Sequence, residues 1–226
     1  MSKVAAIFDL DGTLCSAHIW KGFRKYYIEH EKKRMPLTLA FLITHLPLWL
    51  LCKCKLLNEE KCMVKWAEDL NAVFRGASAR EVSEASLWVV DNHIVESLRS
   101  DIVDILDQHK QNGHMVIIIS AALSNLLEIV GQKLGVPDVI GTKLEVSDDR
   151  YTGKTIKPVC FGRNKVKLFG EFISRNELEI DLPSSFAYAD SVFDIPLLKL
   201  VGNPVATYPD RNLRQFAEHS GWQILP

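Results

Sequence analysis

No charge of one sign dominates this chain. Its 226 residues carry 27 Lys and Arg against 28 Asp and Glu, a net charge of −1, so no global basic field points to nucleic acid. Cysteine is scarce and poorly spaced: Cys15, Cys52, Cys54, Cys62 and Cys160 are odd in number and show no CxxC pair. That argues against a disulfide scaffold and for a reducing compartment. Cys52, Cys54 and Cys62 lie close together, but no CxxC partner or nearby histidine completes a zinc set, so free thiols are expected. Internal repeats and low-complexity linkers are absent from the sequence. The opening Met1-Ser2-Lys3-Val4 lacks the signal-peptide pattern, because the apolar run that follows ends at Asp9. The expectation is a cytoplasmic protein.

What is present is ordinary in bulk, with 47% hydrophobic and 24% charged residues, in a length that admits one large domain or a core with an appendage. Residues 3–13 read as strand and loop, and residues 14–94 as almost wholly helical. From about residue 95 helices and strands alternate. Residues 100–112 form an amphipathic pattern built on Ile102, Val103, Ile105 and Leu106, stopped by Gly113. Met115-Val116-Ile117-Ile118-Ile119 reads as a strand buried on both faces of a parallel sheet. A helix over 124–134 closes at Gly135, and a short hairpin turns around Asp148-Asp149. Residues 165–175 read as helix, 186–189 as strand, and 205–207 as the last strand. The alternation predicts an α/β fold with a doubly wound, Rossmann-like parallel sheet. Ligands bind such sheets beyond the carboxyl ends of the strands.

One heptapeptide carries the chemistry: Phe8-Asp9-Leu10-Asp11-Gly12-Thr13-Leu14, directly after the apolar Val4-Ala5-Ala6-Ile7. Side chains at i and i+2 of an extended segment project to one side, so Asp9 and Asp11 share a small space. Two carboxylates that close resist joint ionisation unless a proton or a cation separates them. Ser120 follows the apolar strand and precedes Ala121-Ala122, where a hydroxyl and backbone N–H groups suit a phosphoryl oxygen; a helix N-cap is the bland alternative. Lys165 opens a helix, where a cation opposes the macrodipole, which hints at an anionic partner if the side chain is not simply solvated. Asp190 and Asp194, in Asp190-Ser191-Val192-Phe193-Asp194, place two more acids after a strand. With Asp9 and Asp11 they make an acidic pocket suited to Mg²⁺.

The order DxDGT, serine after a hydrophobic strand, lysine, DSxxD resembles the haloacid dehalogenase (HAD) superfamily over essentially the whole chain. The helical stretch after the first acids resembles the cap of the subfamily IB, phosphoserine phosphatase-like members. The resemblance implies a phosphatase with an α/β core at 1–13 and 95–226 and an inserted all-helical cap domain at 14–94. It implies Asp9 as nucleophile, Asp11 as proton donor and then base, Gly12 and Thr13 as loop supports, and Ser120, Ala121 and Lys165 as phosphate-binding groups. It further implies Mg²⁺ held by Asp9, the Asp11 carbonyl and Asp190, with Asp194 ligating through water or orienting the others. Phosphoserine phosphatases of this type carry Ser-Gly-Gly at the second motif and asparagine before the last acid; here stand Ser120-Ala121-Ala122 and Phe193. That weakens the case for phosphoserine and leaves the core chemistry untouched. A phospho-acceptor receiver module shares the acid pair and the lysine, but lacks the helical insert and the second acid pair. A catalytically idle, membrane-associated binding protein is the remaining alternative.

Residues 36–52 (PLTLAFLITHLPLWLLC) are apolar nearly all round, with Lys32-Lys33-Arg34 before and Lys53 and Lys55 after. At 17 residues the run sits at the lower limit for a span of about 17–25. A single crossing would separate Asp9 from Ser120, so a membrane-spanning helix is not expected. Two readings remain: a buried or substrate-facing helix, or a helix lying in the inner membrane face with its basic flanks on lipid headgroups. The partner expected is a small-molecule phosphate ester, with an apolar part such as a lipid phosphate.

Overall fold

The structure, a computed structural model, describes residues 2–31, 35–53 and 57–226. Its seven-stranded sheet runs in the order β4-β3-β2-β1-β5-β6-β7. β1 (Ala5–Phe8) lies at the centre, parallel to β2 (Met115–Leu123) on one side and β5 (Phe186–Ala189) on the other. β3 (Asp138–Ser147) extends the sheet beyond β2, and β6 (Asn203–Thr207) and β7 (Gln223–Leu225) extend it beyond β5, all parallel. β4 (Arg150–Ile156) returns antiparallel at the edge through a turn in which Asp148 and Asp149 both take positive φ.

Side chains alternate across the pleat, so the apolar runs of β1 and β2 feed two cores at once. Ala5, Ile7, Ile117 and Ile119 face one core with Phe169 of α7 (Arg163–Arg175), Leu197 of α8 (Ile195–Leu198) and Leu213 of α9 (Arg211–Ser220). Ala6, Phe8, Val116 and Ile118 face the other, with Ile102 and Leu106 of α5 (Ser100–Gln111) and Leu126 of α6 (Ser124–Leu134). The result is a three-layer α/β arrangement, as the alternation of elements predicts.

Between β1 and α5 the chain runs through a helical insert: α1 (Ile19–Glu29), α2 (Met35–Lys53), α3 (Glu59–Leu70) and α4 (Ala79–Val89). α4 opens with a capping box in which the Ser78 and Glu81 side chains satisfy each other's backbone N–H groups. The second core continues into the insert through Phe23, Tyr27, Phe74, Val82 and Val89.

The structure departs from the sequence expectations in four places. β2 continues through Leu123, although its pairing with β3 is irregular between Ile119 and Leu123. β3 begins at Asp138, in a mixed stretch that lacks a clear alternation, and β7 follows β6, so residues 205–207 are not the last strand. Cys52 and Cys62 form a disulfide that ties α2 to α3, where free thiols were expected. Packing of these two helices brings together cysteines whose spacing carries no such signal. Cys15 and Cys160 are free and buried, and Cys54 lies outside the described residues.

The apolar run of 36–52 falls in α2. Phe41 is buried and His45, Leu48 and Cys52 are partly so, whereas Ile43, Leu46, Pro47, Leu50 and Leu51 are exposed. No described helix is long and apolar enough to cross a membrane. The flanking Lys32, Lys33, Arg34 and Lys55 lie outside the described residues.

Candidate active site

β1 delivers Asp9 to the carboxyl edge of the sheet, where the Asp9 N–H donates to the Tyr188 carbonyl (3.0 Å). The chain then folds back on itself: Gly12 N–H donates to the Cys15 carbonyl (2.8 Å) and Cys15 N–H to the Leu10 carbonyl (3.0 Å). Gly12 takes φ +84°, and a Cβ at that position would overlap the Asp190 carboxylate. Only glycine fits both demands. The Thr13 hydroxyl lies 3.4 Å from Asp190 Oδ1, so the turn after β1 is built directly against the turn after β5.

Asp9, Asp190 and Asp194 each offer a carboxylate oxygen, and the three atoms lie within 4.8 Å of one another. Lys165, on the first turn of α7, is buried at 2% exposure. Its Nζ sits 2.9 Å from Asp9 Oδ1 and 2.8 Å from Asp194 Oδ1. The solvated reading of this lysine is therefore overturned. Asp194 stands at the N-cap of α8 yet makes no cap there; its carboxylate turns to Lys165 instead. The Asp11 carboxylate does not join the three-acid cluster. It accepts from the Ile19 N–H at the start of α1 (3.2 Å) and lines the same cleft.

The electrostatics follow from burial. Desolvation, then the charge of Asp9, pushes Asp11 up to about 7 against the pull of the Ile19 N–H. Burial and then Asp9 and Asp194 raise Asp190 above the ordinary carboxylate range. Burial alone would lower the Lys165 ammonium, but Asp194 and Asp9 hold it above its ordinary value. Three acids facing one ammonium leave an uncompensated negative balance, and hard oxygen donors clustered this closely fit Mg²⁺.

Ser120 is buried at 2% exposure, and its Oγ accepts from the Ala122 N–H (3.2 Å). It lies in the irregular part of β2, four residues ahead of α6, whose N-cap position is Leu123. The serine is thus neither past the strand nor a helix cap. Thr142 fixes the turn from below: its hydroxyl donates to the Ala121 carbonyl (2.8 Å) and accepts from the Cys160 N–H (3.1 Å).

Asp9, Asp11, Ser120, Ala121, Lys165, Asp190 and Asp194 line one cleft of about 650 Å³. Trp20, Leu46, Met63, Trp66, Phe161 and Phe193 give it a mostly apolar wall, joined by His18 and His45. Among the described residues lining it, Lys165 is the only Lys or Arg. His45 is itself held, with Nε2 2.8 Å from Asp69 Oδ2 and its ring stacked on Phe41. Sequence reasoning missed Asp210, whose N–H donates to the Asp190 carbonyl (2.7 Å) and whose carboxylate accepts from the Val192 N–H (2.8 Å). Its place just before α9 signals a helix cap, which it also is; the link to Asp190 is visible only in three dimensions.

Comparison with known proteins agrees with this architecture. The model of the haloacid dehalogenase-like hydrolase family matches residues 6–199, and the chain belongs to that family. It is 31% identical over 157 residues to the "Inhibition of morphological differentiation protein" of Streptomyces azureus, covering 69% of this chain and 56% of that protein. It is 28% identical to phosphoserine phosphatase SerB1 of Mycobacterium tuberculosis (strain ATCC 25618 / H37Rv), covering 97% of this chain and 70% of the relative. Identity to histidinol-phosphatase of Neisseria meningitidis serogroup C is 27%, covering 99% and 98%. A solved structure of a protein of unknown function from Bordetella pertussis Tohama I superposes with TM-score 0.84 at 25% identity, covering 100% of this chain and 99% of that one.

Proposed function

We propose that the protein is a Mg²⁺-dependent phosphomonoester hydrolase working through an aspartyl-phosphate on Asp9, with residues 14–94 as a cap over a core of 1–13 and 95–226. The observation that carries this is the meeting of Asp9, Asp190, Asp194 and Lys165 within one cleft that Asp11 also lines. A carboxylate oxygen of Asp9 attacks phosphorus in line with the ester oxygen. Asp11, raised by burial to about 7, holds a proton near neutrality and gives it to the departing oxygen. The resulting Asp11 carboxylate then takes a proton from the water that cleaves the acyl phosphate and frees Asp9. Ser120 Oγ, the Ala121 N–H and Lys165 Nζ receive the phosphoryl oxygens. Asp9, Asp190 and Asp194, with the Asp11 carbonyl, would hold Mg²⁺, which supplies positive charge against the phosphoryl oxygens.

The wall of the cleft favours a leaving group with an apolar part, such as a lipid phosphate. Phosphoserine carries a carboxylate, and the described lining offers it no Lys or Arg beyond the one beside Asp9. Two relatives bear the names phosphoserine phosphatase and histidinol-phosphatase, and a small-metabolite phosphatase is the second reading. An aryl phosphate assay with Mg²⁺ or EDTA, then a panel of phosphoserine, histidinol phosphate and a lysophospholipid phosphate, separates them. Asp9→Asn should lower turnover by roughly a thousandfold or more with an unchanged circular dichroism spectrum. Residual activity near wild type in that variant would refute the mechanism, and preference for phosphoserine would refute the apolar substrate. A wild-type protein inert with Mg²⁺ toward every ester would point to an idle binding protein.

A further inference from the structure

At about 100° per residue, Phe41, His45, Leu48 and Cys52 of α2 share one face, and Ile43, Leu46, Pro47, Leu50 and Leu51 share the opposite one. The first face packs inward. The second is as apolar as the first yet open, with Ile43 63%, Leu46 55%, Leu50 49% and Leu51 42% exposed. Among the described residues, four of the ten exposed large hydrophobics fall on this one helix face, and a contiguous apolar strip marks an interaction site. Its immediate flanks in sequence carry one sign of charge. No Asp or Glu occurs between Glu31 and Glu59, while Lys32, Lys33, Arg34, Lys53 and Lys55 flank the strip in sequence. Residues 18–66 hold ten Lys and Arg against four Asp and Glu, within a chain of net charge −1. Leu46 belongs both to the open strip and to the wall of the cleft that holds Asp9, so the strip runs into the mouth of that cleft.

We propose that the outward face of α2 docks on an anionic lipid bilayer and sets the mouth of the cleft at the membrane surface. An apolar face flanked by cations is the pattern of a helix lying in the headgroup region. A second copy of the chain is disfavoured as occupant, because a symmetric contact through α2 would juxtapose two strongly basic segments. The inference does not depend on the phosphatase reading, since its readout is binding.

The test is co-sedimentation of the full chain with phosphatidylcholine vesicles and with mixed phosphatidylcholine–phosphatidylglycerol vesicles. Binding to the mixed vesicles should be about tenfold tighter or more and should weaken as salt rises. Ile43→Glu with Leu50→Glu should reduce it by a similar factor while the circular dichroism spectrum and the thermal midpoint stay unchanged. Hydrogen exchange on the wild type gives a readout that needs no variant: amides of residues 43–51 should gain protection only when the mixed vesicles are present. Absence of vesicle binding, binding that ignores lipid charge, or a wild-type dimer that the double variant splits would each overturn the proposal.

Discussion

A lysine in the first turn of a helix works against the macrodipole, and in Lys165 the cost is met by two carboxylates rather than by water. Removing it with Lys165→Met leaves Asp9 and Asp194 buried without their cation. The metal-free protein should lose about 3–5 kcal/mol in urea unfolding, and Mg²⁺ should restore part of the loss. A second buried group sits away from the cleft. His109 of α5 places Nε2 2.8 Å from the Tyr188 hydroxyl and Nδ1 2.7 Å from His114 Nδ1. Burial, then His114, holds His109 down to about 4 from its ordinary 6.5. The folded value lies below the unfolded one, so the contribution is complete above about 6.5 and is lost as pH falls toward about 4. The raised Asp11, Asp190 and Asp194 carboxyls titrate with the opposite sign, so the His109 share is read as the difference in denaturant midpoint between wild type and His109→Gln, which should decrease as pH falls across that window. At this scale the acids were legible because their spacing is local: Asp9 beside Asp11, and Asp190 four residues before Asp194. Thr142 and Asp210 were not, because each acts on a residue far away in sequence. The meeting of Lys165 with its acids is likewise a fact of the fold, suggested beforehand only by an awkward charge.

Elements written in a clear period were readable, and those without one were not. β1, α6 and β5 fall where the apolar runs place them, and Gly135 closes α6 with φ +66° as its position suggests. β3 alternates in the structure, with Ile140, Thr142 and Leu144 buried, but one of its three inward positions is a threonine and its first residues, Asp138-Val139-Ile140-Gly141, mix acid, apolar residues and glycine, so the period does not show in its opening residues. α2 misleads differently. Its lack of amphipathicity is real, and arises because the inward and outward faces are both apolar. The Cys52–Cys62 bond holds this helix to α3 across a separation of 10 residues. A loop that short implies at most about 2–3 kcal/mol of constraint on the unfolded chain. Reduction should therefore loosen α2 against α3, read as faster amide exchange there, while amides of β1 and β2 keep their protection.

Across the whole molecule, the insert and the sheet share one continuous apolar core, through Phe23, Val82 and Val89 on one side and Phe8 and Ile118 on the other. α1 and α4 should therefore unfold together with the sheet in a single thermal transition. Mg²⁺ should shift that transition upward by mass action, by about 2.7 kcal/mol at a hundredfold excess over its dissociation constant, and EDTA should remove the shift. Scanning calorimetry with either additive reads both outcomes.

The central place of β1 has a consequence for how the chain is made. Its neighbours in the sheet begin at Met115 and Phe186, so the strand that leads to Asp9 leaves the ribosome long before either partner exists. Contacts that distant in sequence form late and slowly. Until Asp194 has been synthesised, the acid cluster is incomplete, and a nascent chain stalled before that point should bind neither metal nor phosphate. Nascent β1, apolar along its whole length, then waits without a partner, the circumstance in which chaperones intervene.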